Sequence, residues 1–451
     1  MSSIFIAGLP ADGHVAPLLA IAEHLVARGD TVRFMTGARF AGKVRATGAT
    51  FLALPVDVEL DGDIGELTAR YPERAQLKGA RAVAFDIEHV FARPALAEYN
   101  ALVAACATQP VDAIIADTAF LGASLLLGHP RTERPAVVMC SITPMPLESP
   151  DVAPFGLGLP PARILNRPRN IALAALSRRV TRDARRTLDD HNRQLHGEPL
   201  PCSIFNWGRR ADAIVQPTVP SFEYPMADTP TNLHFVGPLC GHSSPPPLPD
   251  WWSDLDGTRP VIHVTQGTAA NFDYSQTIAP TLQALAHDDV LVVVATGGQP
   301  LDTLPPLPAN ARAATFLPYD ELLPRTSVYV TNGGYGGVQY ALRHGVPIVA
   351  TGGKEDKPEV GARVAWSGVG RRIRSEQPSP RALRRAIHAV LDDARYRTAA
   401  ERIAAEIATA PGFDGVAAIV DAVTQSHCTP TTPTQTRGQS WEIAAPDANR
   451  S

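Results

Sequence analysis

Ser327-Val-Tyr-Val-Thr331, Asn332-Gly-Gly-Tyr-Gly-Gly337 and Val338-Gln-Tyr-Ala-Leu342 follow one another without interruption. The first run is short, apolar and β-branched, and predicts a buried strand. Four glycines then fall within residues 333–337. The third run resumes with helical period. Strand, glycine turn and helix make one unit of a parallel α/β sheet. Glycine permits positive φ and close approach of backbone to a ligand. A helix opened by such a turn directs free N–H groups and the positive end of its dipole at one spot, which suits an anion such as phosphate. The alternative is a tight strand-to-helix connection without a ligand.

Outward from that unit, the alternation continues. His344-Gly-Val-Pro-Ile-Val-Ala350 predicts the next strand, Thr351–Glu359 a polar loop, and Val360–Ala365 another helix. Upstream, strands are expected at 261–265, 290–295 and 313–317. The first half repeats the pattern, with strands at 4–7, 31–36, 50–54, 113–116 and 136–140 and helices at 15–28, 39–46 and 88–107. Segments 56–86 and 141–165 are punctuated by Pro and Gly and fit no such rhythm. Ligands of parallel sheets sit beyond the carboxyl ends of the strands, so these segments are candidate pocket walls. Ser243-Ser-Pro-Pro-Pro-Leu-Pro249 reads as a stiff linker. Two α/β units are therefore expected, 1–237 and 238–425, followed by a Thr-, Pro- and Gln-rich tail, 426–451, of disordered composition.

The chain has 451 residues, 45% of them hydrophobic, and a formal net charge of −4. That is ample for two cores. No dense basic run stands out, so neither nucleic acid nor an anionic membrane is expected as partner. Five scattered cysteines form no C-x-x-C pair, so neither a zinc site nor a disulfide framework is suggested. The N-terminus opens as a strand, without signal-peptide regions, and no apolar run reaches membrane-spanning length. A cytoplasmic location is the expectation. Oligomeric state is not legible.

Two polar residues lie at strand ends of the first half. His14, in Gly8-Leu-Pro-Ala-Asp-Gly13-His14, follows the first strand and opens a helix, with Asp12 and Gly13 suited to a turn and cap. Asp117 follows the strand at 113–116. A histidine there can serve as general base, oriented by a carboxylate. Alternatively the histidine is structural and the aspartate caps the helix after it.

Phe316-Leu-Pro318, the glycine turn from Asn332 to Gly337, and Asp356-Lys357 together resemble the signature of the nucleotide-sugar-dependent glycosyltransferases of the UDP-glycosyltransferase type, which include bacterial macrolide glycosyltransferases. The likeness covers most of 260–370 and returns at the Gly13-His14 segment. It implies a GT-B fold, two Rossmann-like parallel-sheet domains facing each other across a cleft, with acceptor on the first and donor on the second. It implies inverting transfer from a UDP- or dTDP-sugar to a small lipophilic acceptor (a polyketide, phenol or flavonoid), with neither metal nor other cofactor. His14 becomes the base and Asp117 its partner. Gly13, Gly267, Thr268, Phe316, Leu317, Gly334, Tyr335, Gly336 and Gly337 become donor-side residues, with Phe316 stacking on the nucleotide base. Asp356 would hold sugar hydroxyls, flanked by Glu355 and Lys357.

The chain departs from that pattern in three places. Asn332 stands where relatives usually have histidine on the donor phosphate, and Tyr340 where many have a ribose-binding glutamate; Gln339 is a possible substitute. Lys357 replaces the usual glutamine.

Rival readings are weaker. Gly8-x4-Gly13 is not the G-x-G-x-x-G of a nicotinamide dehydrogenase, and no acidic residue ends the second strand. Two D-x-D triplets, Asp61-Gly-Asp63 and Asp254-Leu-Asp256, read as surface loops rather than as the cation site of another transferase fold. A catalytically silent sugar-binding partner, or a transferase with a lipid acceptor at the membrane, remain as alternatives; the latter requires an apolar and basic patch on the first domain.

Overall fold

The computed structural model describes residues 1–56, 58–59, 64–240, 246–268 and 271–425. Among the described residues, thirteen strands form two sheets. The first contains β1 (Ser3–Ala7), β2 (Thr31–Thr36), β3 (Thr50–Ala53), β4 (Ala113–Asp117), β5 (Ala136–Cys140), β6 (Ala213–Gln216) and β7 (Leu233–Phe235), in the order β3-β2-β1-β4-β5-β6-β7. The second contains β8 (Val261–Thr265), β9 (Leu291–Ala295), β10 (Ala311–Ala314), β11 (Val328–Thr331), β12 (Ile348–Ala350) and β13 (Gly370–Arg372), in the order β10-β9-β8-β11-β12-β13. Every pairing is parallel. The central strands β4, β5, β8 and β9 are buried throughout. Both of their faces must then be covered, and their sequences are accordingly mainly Ile, Val and Ala rather than alternating, with His263 buried in β8.

Register aligns the functional ends of the strands. Ala7 pairs with Ala116, so the chain after β1 emerges beside Asp117. Thr331 pairs with Thr265, so the turn after β11 lies beside the one after β8. The order of each sheet reverses direction at these central pairs, β1/β4 and β8/β11, the place where parallel sheets leave a crevice.

The structure differs from the sequence reading in several elements. Within 56–86, Ile64–Arg70 and Ala80–Asp86 are helical; Pro72 and Gly79 mark the breaks between helices rather than a structureless wall. The strand expected at 313–317 is displaced to β10, and Phe316 and Leu317 lie beyond its end. Strands β6, β7 and β13 went unpredicted. The last two have three residues each and include His234 or Arg371 and Arg372, so they carry little apolar signal. The helix pair Asn166–Val180 and Arg182–His196 was likewise unassigned. It holds Arg178, Arg179, Arg182, Arg185 and Arg186 within nine residues, a basic run that corrects the expectation of none.

The last helix crosses the division expected at 238. Gly412–Gln425 returns to the first sheet, packing against β4, β5 and β6. Val416, Ala417 and Val420 join Ile4, Ile115 and Val138 in one core. Arg28 pairs with Asp421 at 2.9 Å, and Gly412 N–H donates to the Val236 carbonyl at 2.7 Å. The triplet Asp61-Gly-Asp63, part of the proline-rich linker, Cys428 and the tail 426–451 lie outside the described residues.

Candidate active site

His14 lies in the first turn of the helix Asp12–Arg28, which starts directly after β1. The N-cap position is Ala11, without a side-chain cap. Asp12 does not cap as expected; its carboxylate turns outward to Lys43, 3.1 Å away. His14 Nδ1 is 2.6 Å from Asp117 Oδ2. Asp117 is fully buried, and His14 is 24% exposed. The carboxylate also accepts from Leu9 N–H at 3.3 Å and, through Oδ1, from Ala119 N–H at 2.9 Å. Asp117 thus secures the turn after β4 and contacts His14, but it does not cap a helix as the alternative reading expected, since the next helix begins only at Gly122. Its bond to Nδ1 leaves the other ring nitrogen, Nε2, for the cleft.

Burial disfavours the imidazolium. The charge of Asp117 and its hydrogen bond outweigh that cost and hold His14 above the ordinary histidine value. Asp356 and Glu355 add to the same effect, so the loop after β12 faces His14 across the cleft. Asp356 is in turn raised by burial, which Lys357 and His14 counter and Glu355 reinforces. Although Asp356 occupies the N-cap position of the helix Lys357–Trp366, its side chain does not cap. The carboxylate is thus left for another partner. Glu355 holds a left-handed backbone, φ 58°, unusual for a residue with a Cβ. Its side chain pairs with Lys357 Nζ. The stem of Lys357 packs over Gly333 and Gly352, seating this loop on the glycine turn.

The turn after β11 has the expected form. Gly333 adopts φ 95°, and the helix Tyr335–Arg343 begins after Gly334 with no side-chain cap. A Cβ at Gly336 would meet nothing within 4 Å, so this position faces open space. Gly337 instead packs against the Tyr329 hydroxyl and is structural. Beside it, Gly267 has φ 73° and Thr268 is exposed. Phe316 is 51% exposed with its ring against Gly298, which removes the alternative of a core phenylalanine. Leu317 is buried in the core beneath, so its side chain does not reach the cleft. Gly13 is exposed, with room around it.

Three expected donor contacts are spoken for inside the protein. Asn332 is buried, and its Nδ2 donates to the Gln266 carbonyl at 2.7 Å, tying the two turns together. Reversing the amide would set two carbonyl oxygens against each other, so this orientation is fixed by its partner. The Tyr335 hydroxyl accepts from Gln216 Nε2 at 3.0 Å, and Gln339 Oε1 accepts from the Thr218 hydroxyl at 3.0 Å. Gln216 and Thr218 lie at and just beyond the end of β6. Tyr335 and Gln339 therefore join the two halves, and Gln339 is not free to replace a ribose-binding glutamate.

A second seam went unread in the sequence. Arg363 Nε donates to Glu223 Oε2 at 2.7 Å and its Nη1 to Glu359 Oε2 at 2.9 Å, with all three residues buried. Glu359 Oε1 accepts from Gly156 N–H at 3.0 Å and Gly158 N–H at 2.6 Å. The segment 141–165 is thus fastened to the helix that starts at Lys357. Glu359 and Arg363, four apart in a helix that is otherwise apolar after Lys357, were the available sequence signal. Of the D-x-D triplets, Asp254 pairs with Arg312 at 2.6 Å and Asp256 accepts from Thr258, so they do not converge.

The family described as "Erythromycin biosynthesis protein CIII-like, C-terminal domain" matches residues 279–423. The chain is 41% identical over 424 residues to 4'-demethylrebeccamycin synthase of Lentzea aerocolonigenes, covering 93% of this chain and 97% of that one. It is 33% identical over 437 residues to UDP-glycosyltransferase 2 of Phaeomoniella chlamydospora, covering 93% and 95%. The chain belongs to the UDP-glycosyltransferase family. It is a glycosyltransferase with the GT-B fold. The calicheamicin glycosyltransferase CalG4 shares that fold with a TM-score of 0.69 at 23% identity, covering 94% of this chain and 98% of CalG4. The spinosyn rhamnosyltransferase SpnG complexed with thymidine diphosphate superposes with a TM-score of 0.65 at 17% identity, covering 93% and 100%. Among the described residues of the transferase, no single helix is long and apolar enough to cross a membrane.

Proposed function

We propose that the transferase moves a sugar, with inversion, from a nucleoside diphosphate donor to a hydroxyl of a small lipophilic acceptor. The observation that carries this reading is the 2.6 Å contact between His14 Nδ1 and the buried Asp117 carboxylate at the carboxyl edge of the first sheet. Asp117 holds the tautomer in which Nε2 is the base and steadies the imidazolium as it forms. His14 Nε2 takes the acceptor's O–H proton. The oxygen forms a bond to the anomeric carbon while the bond from that carbon to the diphosphate oxygen breaks, and its electron pair leaves with the nucleoside diphosphate.

The donor is assigned to the second half. N–H groups at the start of the helix Tyr335–Arg343 and its dipole meet the negative charge growing on the leaving group. Phe316 stacks on the base, and the uncommitted carboxylate of Asp356, facing His14, binds sugar hydroxyls. The acceptor is assigned to the first half, 1–237, near His14 and the 141–165 segment. One relative's synthase name and the thymidine diphosphate bound by SpnG support a natural-product acceptor and a UDP- or dTDP-sugar donor.

His14→Ala should lower turnover by about 10²–10⁴-fold with donor affinity little changed. Undiminished turnover would remove His14 from the mechanism. Activity should persist after exhaustive chelation, because the helix terminus supplies the positive potential. Loss with EDTA and recovery with Mg²⁺ or Mn²⁺ would refute this.

A further inference from the structure

The helix Asn166–Val180 carries several of its apolar residues on the outside, while Leu173, Ala174 and Val180 are half-buried. Ile171 is 58% and Leu176 57% exposed, and Ile164 and Leu165, just before the helix, are 80% and 71% exposed. Pro168, Ala172 and Ala175 are exposed between them, so the spacing of three and four makes one continuous stripe. Asn170 is the one fully buried residue of this helix. A scattered exposed leucine needs no explanation, but a contiguous apolar stripe does.

The stripe is set among arginines. Residues 163–186 hold eight arginines and one acid, Asp183, in a chain whose net charge is −4. Arg163, Arg179 and Arg182 are exposed and form no ion pair with a described residue. Arg179 continues the stripe itself, four residues after Ala175. A second copy docked through this face would bring like charge onto like charge. An exposed stripe of Ile, Leu, Ala and Pro with arginines at its margin suits an anionic lipid surface, where the apolar side chains enter the acyl boundary and the guanidinium groups meet headgroup phosphates.

The stripe is also joined to the cleft. Asn166 Nδ2 donates to the Asp151 carbonyl at 2.6 Å, Asn170 Nδ2 to that of Pro150 at 3.0 Å, and Arg169 Nη2 to that of Pro160 at 3.0 Å. These carbonyls belong to the segment that Glu359 fastens at Gly156 and Gly158. We propose that the outer face of the helix Asn166–Val180 docks the transferase on an anionic bilayer, with the 141–165 wall of the cleft next to the lipid. A lipophilic acceptor partitioned into the bilayer then has a short path to that wall.

The test is sedimentation with vesicles of phosphatidylglycerol and phosphatidylcholine, and of phosphatidylcholine alone, over a range of NaCl. The parent should bind the anionic vesicles, more weakly as salt rises, and bind the neutral ones poorly. The double substitution Ile171→Asp/Leu176→Asp should lower binding by roughly tenfold or more. Arg179→Glu/Arg182→Glu should do likewise in low salt. Circular dichroism and turnover of a water-soluble phenol should be unchanged in both, since neither pair supports the core or the dyad. A parent that binds neither vesicle, or a double variant that binds as the parent does, overturns the proposal. So does equal binding to neutral vesicles. A parent dimer that the Ile171→Asp/Leu176→Asp change makes monomeric, without vesicle binding, would assign the stripe to a second copy instead. None of these outcomes depends on His14 being the base.

Discussion

Asp117 acts on His14 in two separable ways, by position and by charge. Its charge stabilises the imidazolium, so the free protein keeps His14 protonated to a higher pH than an ordinary histidine would be. A general base must be neutral to work, and the rising limb of the pH dependence of kcat/KM should therefore lie above the usual histidine range. Asp117→Asn removes the charge and the anionic acceptor while keeping the shape. That limb should move to lower pH, and the plateau should fall by roughly 10²–10⁴-fold as the tautomer is lost. An unmoved limb in Asp117→Asn would mean that some other group titrates. Both residues were legible in the sequence, because Asp117 closes a strand that periodicity locates and His14 opens the helix after another. The sequence did not reveal the fate of Asn332 or Gln339. A side chain in a motif position reads as a ligand contact, yet each finds its partner on a strand end distant in sequence.

Among the elements, the turn at 333–337 is the one whose role is open to direct trial. Gly336 has no neighbour for a Cβ and no positive φ, so Gly336→Val leaves the backbone unstrained. The added methyls would occupy the space in front of the helix N-terminus. Nucleoside diphosphate should bind roughly 10- to 100-fold more weakly, the scale of a lost hydrogen bond to a charged group, while acceptor binding without donor stays near the parent's. Calorimetric titration of a folded variant that binds diphosphate normally would return the turn to a purely structural role. Strands of the central sheet were legible because they are buried on both faces and apolar throughout. The helix Asn166–Val180 was not, since its apolar stripe faces out, and Arg182–His196 buries only Ala184, Leu188 and Asn192 among many charged residues.

For the whole molecule, Arg363 is one joint between the two halves. Its guanidinium satisfies two carboxylates, Glu223 from the first half and Glu359 from the second, and Glu359 in turn holds Gly156 and Gly158. Burial raises Glu223, while Arg363 and the Met145 N–H hold its carboxylate down. Removing the cation leaves two buried carboxylates uncompensated, so Arg363→Met should destabilise the protein by about 3–5 kcal/mol. Glu359→Gln is the gentler probe. It keeps an acceptor for the glycine N–H groups but weakens the pair, and should raise KM for acceptor more than for donor. Equal changes in both would place the seam's effect on the fold rather than on the 141–165 wall.

The return of the last helix has a practical corollary for dissecting the protein. Residues 1–240 taken alone would leave the face of β4, β5 and β6 without Val416, Ala417 and Val420, and residues 246–425 alone would carry a helix with nothing to cover. Neither piece is a self-sufficient body. Produced together as separate polypeptides, they should reassociate, because the second supplies the missing part of the first one's core. Such a split transferase would run as one particle under native conditions and as two bands when denatured. Recovery of turnover on mixing would then report complementation rather than the activity of either fragment.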